Sequence, residues 1–170
     1  MERRKPAIMS CSLKSFRVFA LLSVGCLSGC NTNTLSTSLV GYNHTNQSVG
    51  HFAVNGVDGG FLGPHEGGGK FSCCASIPSQ WHTGLTATVG WTDLNDEHYQ
   101  ERIVAVPPYE AKEAAQFSVH FLRTGDIKVF VTRYGLRNPN YPLQGPESAL
   151  RPEDFSTSGA VTPRAAGNQN

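Results

Sequence analysis

Charge is scarce in this chain and neither sign dominates: Lys, Arg, Asp and Glu make up 16% of its 170 residues, with 14 basic side chains against 13 acidic ones. Five of the bases fall within residues 1–29; beyond them, nine basic side chains face twelve acidic ones, a net charge of about −3. Nucleic acid is recognised through a basic stripe, so that partner class is excluded. Long apolar runs are also lacking. The longest, residues 18–27, is far short of the roughly 20 residues that a membrane-crossing helix needs. Catalytic signatures are missing: no serine sits in G-x-S-x-G and no H-E-x-x-H occurs, while His44, His51, His65, His82, His98 and His120 are scattered. Lys70 follows a glycine run, but neither Ser nor Thr comes next and the spacing is not that of a P-loop. No C-x-x-C pair is available for a metal. The stretch "DLNDEHY" gathers Asp93, Asp96, Glu97 and His98, yet lacks the glycine and distal glutamate of an EF-hand loop; it reads as a solvated acidic turn. A Cys73 nucleophile would need a depressed thiol pKa, and no helix N-terminus or cation stands at a readable spacing. The expectation is a protein that is not an enzyme, with no cofactor, no metal and no evident small-molecule substrate.

What is present begins at the N-terminus. Arg3, Arg4, Lys5, Lys14 and Arg17 form a positive region, opposed by Glu2 alone. The apolar run follows at the length of a signal-peptide core. It ends in Leu27-Ser28-Gly29-Cys30, an apolar residue, two small ones and a cysteine, which is the lipobox of bacterial lipoproteins. Residues 1–29 are therefore expected to be a signal peptide, with Met9 an alternative start. Cys30 is expected to be lipidated, and several acyl chains hold a membrane durably where one does so marginally. Asn31 stands where an aspartate would retain the protein at the inner membrane, which points to the outer membrane, facing the periplasm. Residues 30–38 are small and polar and read as a tether.

Two-residue alternation dominates residues 39–135. In "GLTATVGWT", Leu85, Ala87, Val89 and Trp91 share one face. Phe117, Val119 and Phe121 do so in "QFSVHFL", against Ser118 and His120; Ile127, Val129 and Val131 do so in "IKVFVTRY". "RIVAVP", "VGHFAVNG", "TSLVGYN" and "KFSCCAS" complete seven strands. "RTGD", residues 123–126, is a tight hairpin turn, and "EAKEAA", residues 110–115, is the single helix-like piece. Seven short strands with turn chemistry between them predict an all-β fold, a small antiparallel Ig-like β-sandwich, with a small barrel as the alternative. The expected core is Phe52, Val54, Phe71, Leu85, Val89, Trp91, Val104, Val106, Phe117, Val119, Phe121, Val129 and Val131. Residues 136–170, rich in Pro, Gly, Ser and Asn, read as a disordered tail, with a short helix at 147–149 and a Phe155 contact as the features that could interrupt it.

Cys73 and Cys74 stand side by side. With Cys11 and Cys26 lost with the signal and Cys30 lipidated, they have no other partner in the chain. A regular strand sends neighbours to opposite faces, so a bond between them needs a distorted backbone. Three readings stand: a vicinal disulfide, two reduced thiols, or a bond to another protein. Ahead of them, "NGVDGGFLGPHEGGGK" carries seven glycines in sixteen residues, and reads as a flexible loop with Phe61 and Leu62 at its tip. Those two and Trp81 are the expected partner contacts, although a tryptophan beside a strand start also suits half-buried packing.

The segment "GGGKFSCCASIPSQWHTGLTATVGW" resembles the signature of a proteobacterial lipoprotein family, domain of unknown function 3304. That pattern has a glycine run, paired cysteines, a proline, a tryptophan, Gly-Leu and then alternation to a second tryptophan, matched here by Gly67 to Gly69, Cys73, Cys74, Pro78, Trp81, Gly84, Leu85 and Trp91. "GYNHTNQSVGHFAVNG", "VAVPPY" and "VHFLRTGDIKVFV" are similar to its flanks, so the resemblance spans about residues 40–134. It departs at His82-Thr83, where a basic residue and a proline are commoner. Family members are lipoproteins, and some are encoded beside type VI secretion phospholipase effectors, where they look like immunity proteins. The resemblance implies a membrane-anchored periplasmic protein that binds and blocks a lipase-type effector. The alternative is a structural or secretion-accessory envelope lipoprotein.

Overall fold

A computed structural model describes residues 33–153, the side chains of 69–71 excepted. The signal, Cys30, Phe155 and the end of the chain lie outside the described residues, as does the side chain of Phe71. Among the described residues, eight strands follow one another: β1 (Thr34–Asn43), β2 (Val49–Val54), β3 (Val57–Leu62), β4 (Gly67–Pro78), β5 (Thr86–Trp91), β6 (Gln100–Ala105), β7 (Gln116–Phe121) and β8 (Ile127–Thr132). They form two four-stranded sheets, β4-β1-β7-β8 and β3-β2-β5-β6, which remain open at their edges and do not close into a barrel. Every pairing is antiparallel except β1 with β7. That parallel pair departs from the all-antiparallel expectation; the long connection from β1 to β7, which runs through the whole second sheet, allows it.

The alternation read from the sequence sets the inner faces. Leu39, Phe52, Val54, Val89, Phe117, Val119 and Val129 are each at most 2% exposed between the sheets. Each contributes roughly 1.5–3 kcal/mol relative to an exposed position, enough to fix the register against a one-residue slip. Between β7 and β8, Gly125 takes φ +83° in the tight turn that "RTGD" predicts. The helix-like piece is reduced to a 3-10 turn, Ala111–Glu113.

Two expectations are corrected. The glycine-rich stretch is not a loop. Its first half is β3, joined to β2 through Asn55 and Gly56, both at positive φ, with Val54 paired to Val57. Gly59 lies against the Phe52 ring, so closely that a Cβ would overlap it. The second correction concerns the expected tail. Leu136, Tyr141 and Leu143 are buried, and they pack with Leu150 and Tyr134 on Val40, Tyr42, Leu122 and Phe130. Residues 134–150 thus form a strap across the outer face of the first sheet, ending in a 3-10 turn, Gly145–Ser148. Among the described residues, no helix is long and apolar enough to cross a membrane.

Candidate functional site

Three places hold chemistry worth weighing: the layer beneath the strap, the cysteine pair on β4, and the outer face of the second sheet.

The strap covers polar side chains that alternation assigned to solvent. Ser118 and His120 are wholly buried, and so is His44 just past the end of β1. His44 Nε2 lies 2.9 Å from His120 Nδ1, and His120 Nε2 lies 2.6 Å from the Tyr141 hydroxyl. His44 Nδ1 faces the Ala149 carbonyl and a Glu147 carboxylate oxygen, both at 3.2 Å. Those two oxygens only accept, so His44 Nδ1 carries the proton. A neutral His44 then accepts at Nε2, His120 donates from Nδ1, and Tyr141 donates to His120 Nε2. One acceptor at the end of the row therefore sets the direction of every bond in it. Burial pushes both imidazoles below their ordinary range, His120 furthest, with His44 and Lys128 adding to the effect. Burial also raises the phenols of Tyr42 and Tyr141. Tyr42 stacks flat on His120 at 4.6 Å. Arg123 holds the strap from the β7–β8 turn, donating to the carbonyls of Pro146, Ala149 and Leu150 and to Glu147 Oε2 at 2.8 Å. A cavity of about 870 Å³ opens between the strap and Gly67-Gly68, with Tyr42, Leu136, Leu143, Leu150 and Arg137 among the described residues on its wall.

The cysteine pair occupies a β-bulge. Thr37 pairs with Ala75 and Leu39 with Ser72, so β4 carries one residue more than β1 across this interval. The extra residue removes the strict alternation, and Cys73 and Cys74 are both exposed. The peptide between them is cis, their Cα atoms are 3.1 Å apart and their sulfurs are in bonding contact.

The expected partner contacts are not brought together. Leu62 is 3% exposed and belongs to the core, a correction that follows from β3 being a strand whose end faces inward. Phe61, its neighbour, faces outward and is 39% exposed. Trp81 is half-buried, and its indole N–H donates to the Val106 carbonyl at 2.8 Å. It is tied into the fold, as packing beside a strand start would have it.

Exposed apolar surface lies elsewhere. Ile103 is 69% exposed, Leu94 64% and Tyr99 63%. Thr88 pairs with Ile103 and Gly90 with Glu101, while their neighbour Val89 points into the core. Ile103 and Glu101 therefore stand on the outer face of the second sheet. Tyr99 lies over Gly90, where a Cβ would collide with its hydroxyl, and donates to Glu101 Oε2 at 2.9 Å. That bond raises the Tyr99 phenol. Leu94 sits in the adjoining acidic turn. There Asp93 Oδ1 accepts the backbone N–H of Asn95 and Glu97, and Asp93 Oδ2 is 2.6 Å from His98 Nδ1, a contact that lowers the Asp93 carboxyl. Asp93, Glu97 and His98 could converge on a cation, but the Asp93 oxygens and His98 Nδ1 are already engaged in closing the turn. Sequence reasoning passed over Leu94 and Tyr99 because each stands alone among polar residues, and over Ile103 because it lies inside an apolar run; the readable signal was Ile103 on the polar phase of "QERIVA".

A family model described as "Protein of unknown function (DUF3304)" matches residues 42–129, just over half of the chain. No curated protein and no solved structure matches it. The matched span holds His44, the cysteine pair, Trp81 and His120, and it stops short of Tyr141 and Glu147.

Proposed function

The chain belongs to the DUF3304 family, and from that premise we propose that it is a lipid-anchored binding protein of the cell envelope, the immunity partner of a type VI secretion lipase-type effector. Cys30 carries the acyl chains, and the module beyond it works in the periplasm by contact and not by chemistry. The observation that carries the reading is the outer face of the second sheet. Ile103 and Tyr99 are exposed there beside Glu101, and Leu94 is exposed in the adjoining Asp93 turn with Glu97. Large apolar side chains rimmed by charges of one sign mark a protein-binding patch. Its acidic rim suits a basic partner surface and would speed their encounter. An inhibitor of this kind need only cover an active-site mouth or pin a lid across a standard interface of about 1,600 Å².

The test is co-expression of the adjacent effector in the periplasm with the native chain or with Ile103→Glu. The native chain should abolish toxicity. The Ile103→Glu chain should fail to do so while remaining folded and lipidated, because a central contact of this kind is worth about 2 kcal/mol or more. Toxicity that is unchanged by the native chain would exclude the immunity role. Absence of palmitate incorporation that depends on Cys30 would exclude the anchor.

A further inference from the structure

We propose that the His44–His120 pair is an acid-sensitive latch: near neutral pH it fastens the 134–150 strap over the first sheet, and acidification opens the strap and uncovers the apolar face beneath. The inference does not rest on the binding role, since it concerns the opposite side of the molecule.

The geometry leaves no room for two added protons. The row runs from the Tyr141 hydroxyl through His120 and His44 to the Ala149 carbonyl, one proton to each bond. A proton taken up at His44 Nε2 points at the N–H on His120 Nδ1, 2.9 Å away. The row absorbs it only by reversing. The His120 proton then moves to Nε2, and Tyr141 changes from donor to acceptor. A second proton, on His120, sets two N–H groups against each other in a place closed to water, and such an unmatched buried pair opens.

The surrounding charges do not rescue it. Around His44 stand Glu147 from the strap, Arg123 from the β7–β8 turn and His65 from the β3–β4 connection. Glu147 would favour a positive His44, but its carboxylate already binds Arg123 at 2.8 Å. Around His120 stand Tyr42 on β1, Tyr141 on the strap and Lys128 on β8, and none of these is an anion near neutral pH.

The strap is the element that gives way. Tyr141, Glu147 and Ala149, the outer partners of both imidazoles, all belong to it, whereas His44 and His120 are held by β1 and β7. Opening exposes Val40, Tyr42, Leu122 and Phe130, a second apolar surface that is absent from the closed form.

Hydrogen–deuterium exchange on the full chain in detergent micelles reads the opening directly. After correction for the intrinsic pH dependence, protection of 136–150 should fall at least about ten-fold between about pH 7.5 and about pH 5, while β2, β5 and β6 keep theirs. In His120→Phe, where His44 alone can still take a proton, the pH response of strap protection should be roughly halved on a logarithmic scale. Equal strap protection in the native chain at both pH values overturns the latch, and so does an undiminished pH response in His120→Phe. Should that variant fail to fold, imidazole NMR on the native chain decides. Protonation of the His44 and His120 rings in step with loss of strap protection supports the latch; strap opening while both rings stay neutral overturns it.

Discussion

At the scale of single residues, two apolar side chains from opposite ends of the second sheet have exchanged the roles that composition suggests. Leu62 lies in a run of glycines and charged residues, which reads as loop; Ile103 lies in a β-branched strand beside Val104 and Val106 of the expected core. In the folded chain Leu62 is 3% exposed and Ile103 is 69% exposed. The two should therefore respond differently to truncation. Leu62→Ala leaves a cavity beside Phe52 and should cost about 2–5 kcal/mol. Ile103→Ala should stay within about 0.5 kcal/mol, as substitutions on an open face do, while it weakens capture of a basic protein partner. Urea unfolding of the two variants measures the difference through the midpoint at constant slope. Equal losses would mean that β3 does not end in the core as described.

At the scale of elements, period and turn chemistry were readable and layering was not. All seven strands read from the sequence are present, because an inner face of Leu, Val and Phe repeating every second residue has one low-energy placement. The eighth, β3, was legible too: Asn55-Gly56 between Val54 and Val57 is a two-residue hairpin signal, outvoted here by the glycines around it. The strap was not legible. Its prolines and asparagines predict a chain without a core of its own, and that holds, since it borrows the first sheet's. The only trace lay in "FSVHFL", where alternation put His120 in water while no charged residue shared its face on β7. The cysteine bulge lies between these cases: adjacent cysteines announce a local distortion, but pairing with β1 locates the extra residue. A bond between neighbours closes no loop, so its constraint on the unfolded chain is small. The double variant Cys73→Ala with Cys74→Ala should thus lose less than about 1 kcal/mol in urea unfolding. A loss of several kcal/mol would show the bulge itself to depend on the bond.

At the scale of the whole molecule, the buried imidazoles tie stability to pH, and the sign follows from which state holds the protons. Both histidines are pushed below their ordinary value in the folded chain. Below about pH 6.5 the unfolded chain takes up protons that the folded one refuses, so their contribution is complete above that pH and is lost as pH falls toward the folded values. Each site costs about 1.4 kcal/mol per pH unit between its unfolded and folded values. A domain of this size has about 5–15 kcal/mol in all. A penalty that grows at this rate matters on that scale, while the core between the sheets owes nothing to either ring. Local opening relieves it at the cost of the strap's contacts alone. Unfolding midpoints of the native chain should hold steady from about pH 8 to 7 and decline below about 6.5. His120→Phe should show roughly half that slope, because one titrating site remains. A flat profile down to pH 5 would require both rings to be as easily protonated in the fold as in water, and a closed row of single-proton bonds could not then exist beneath the strap.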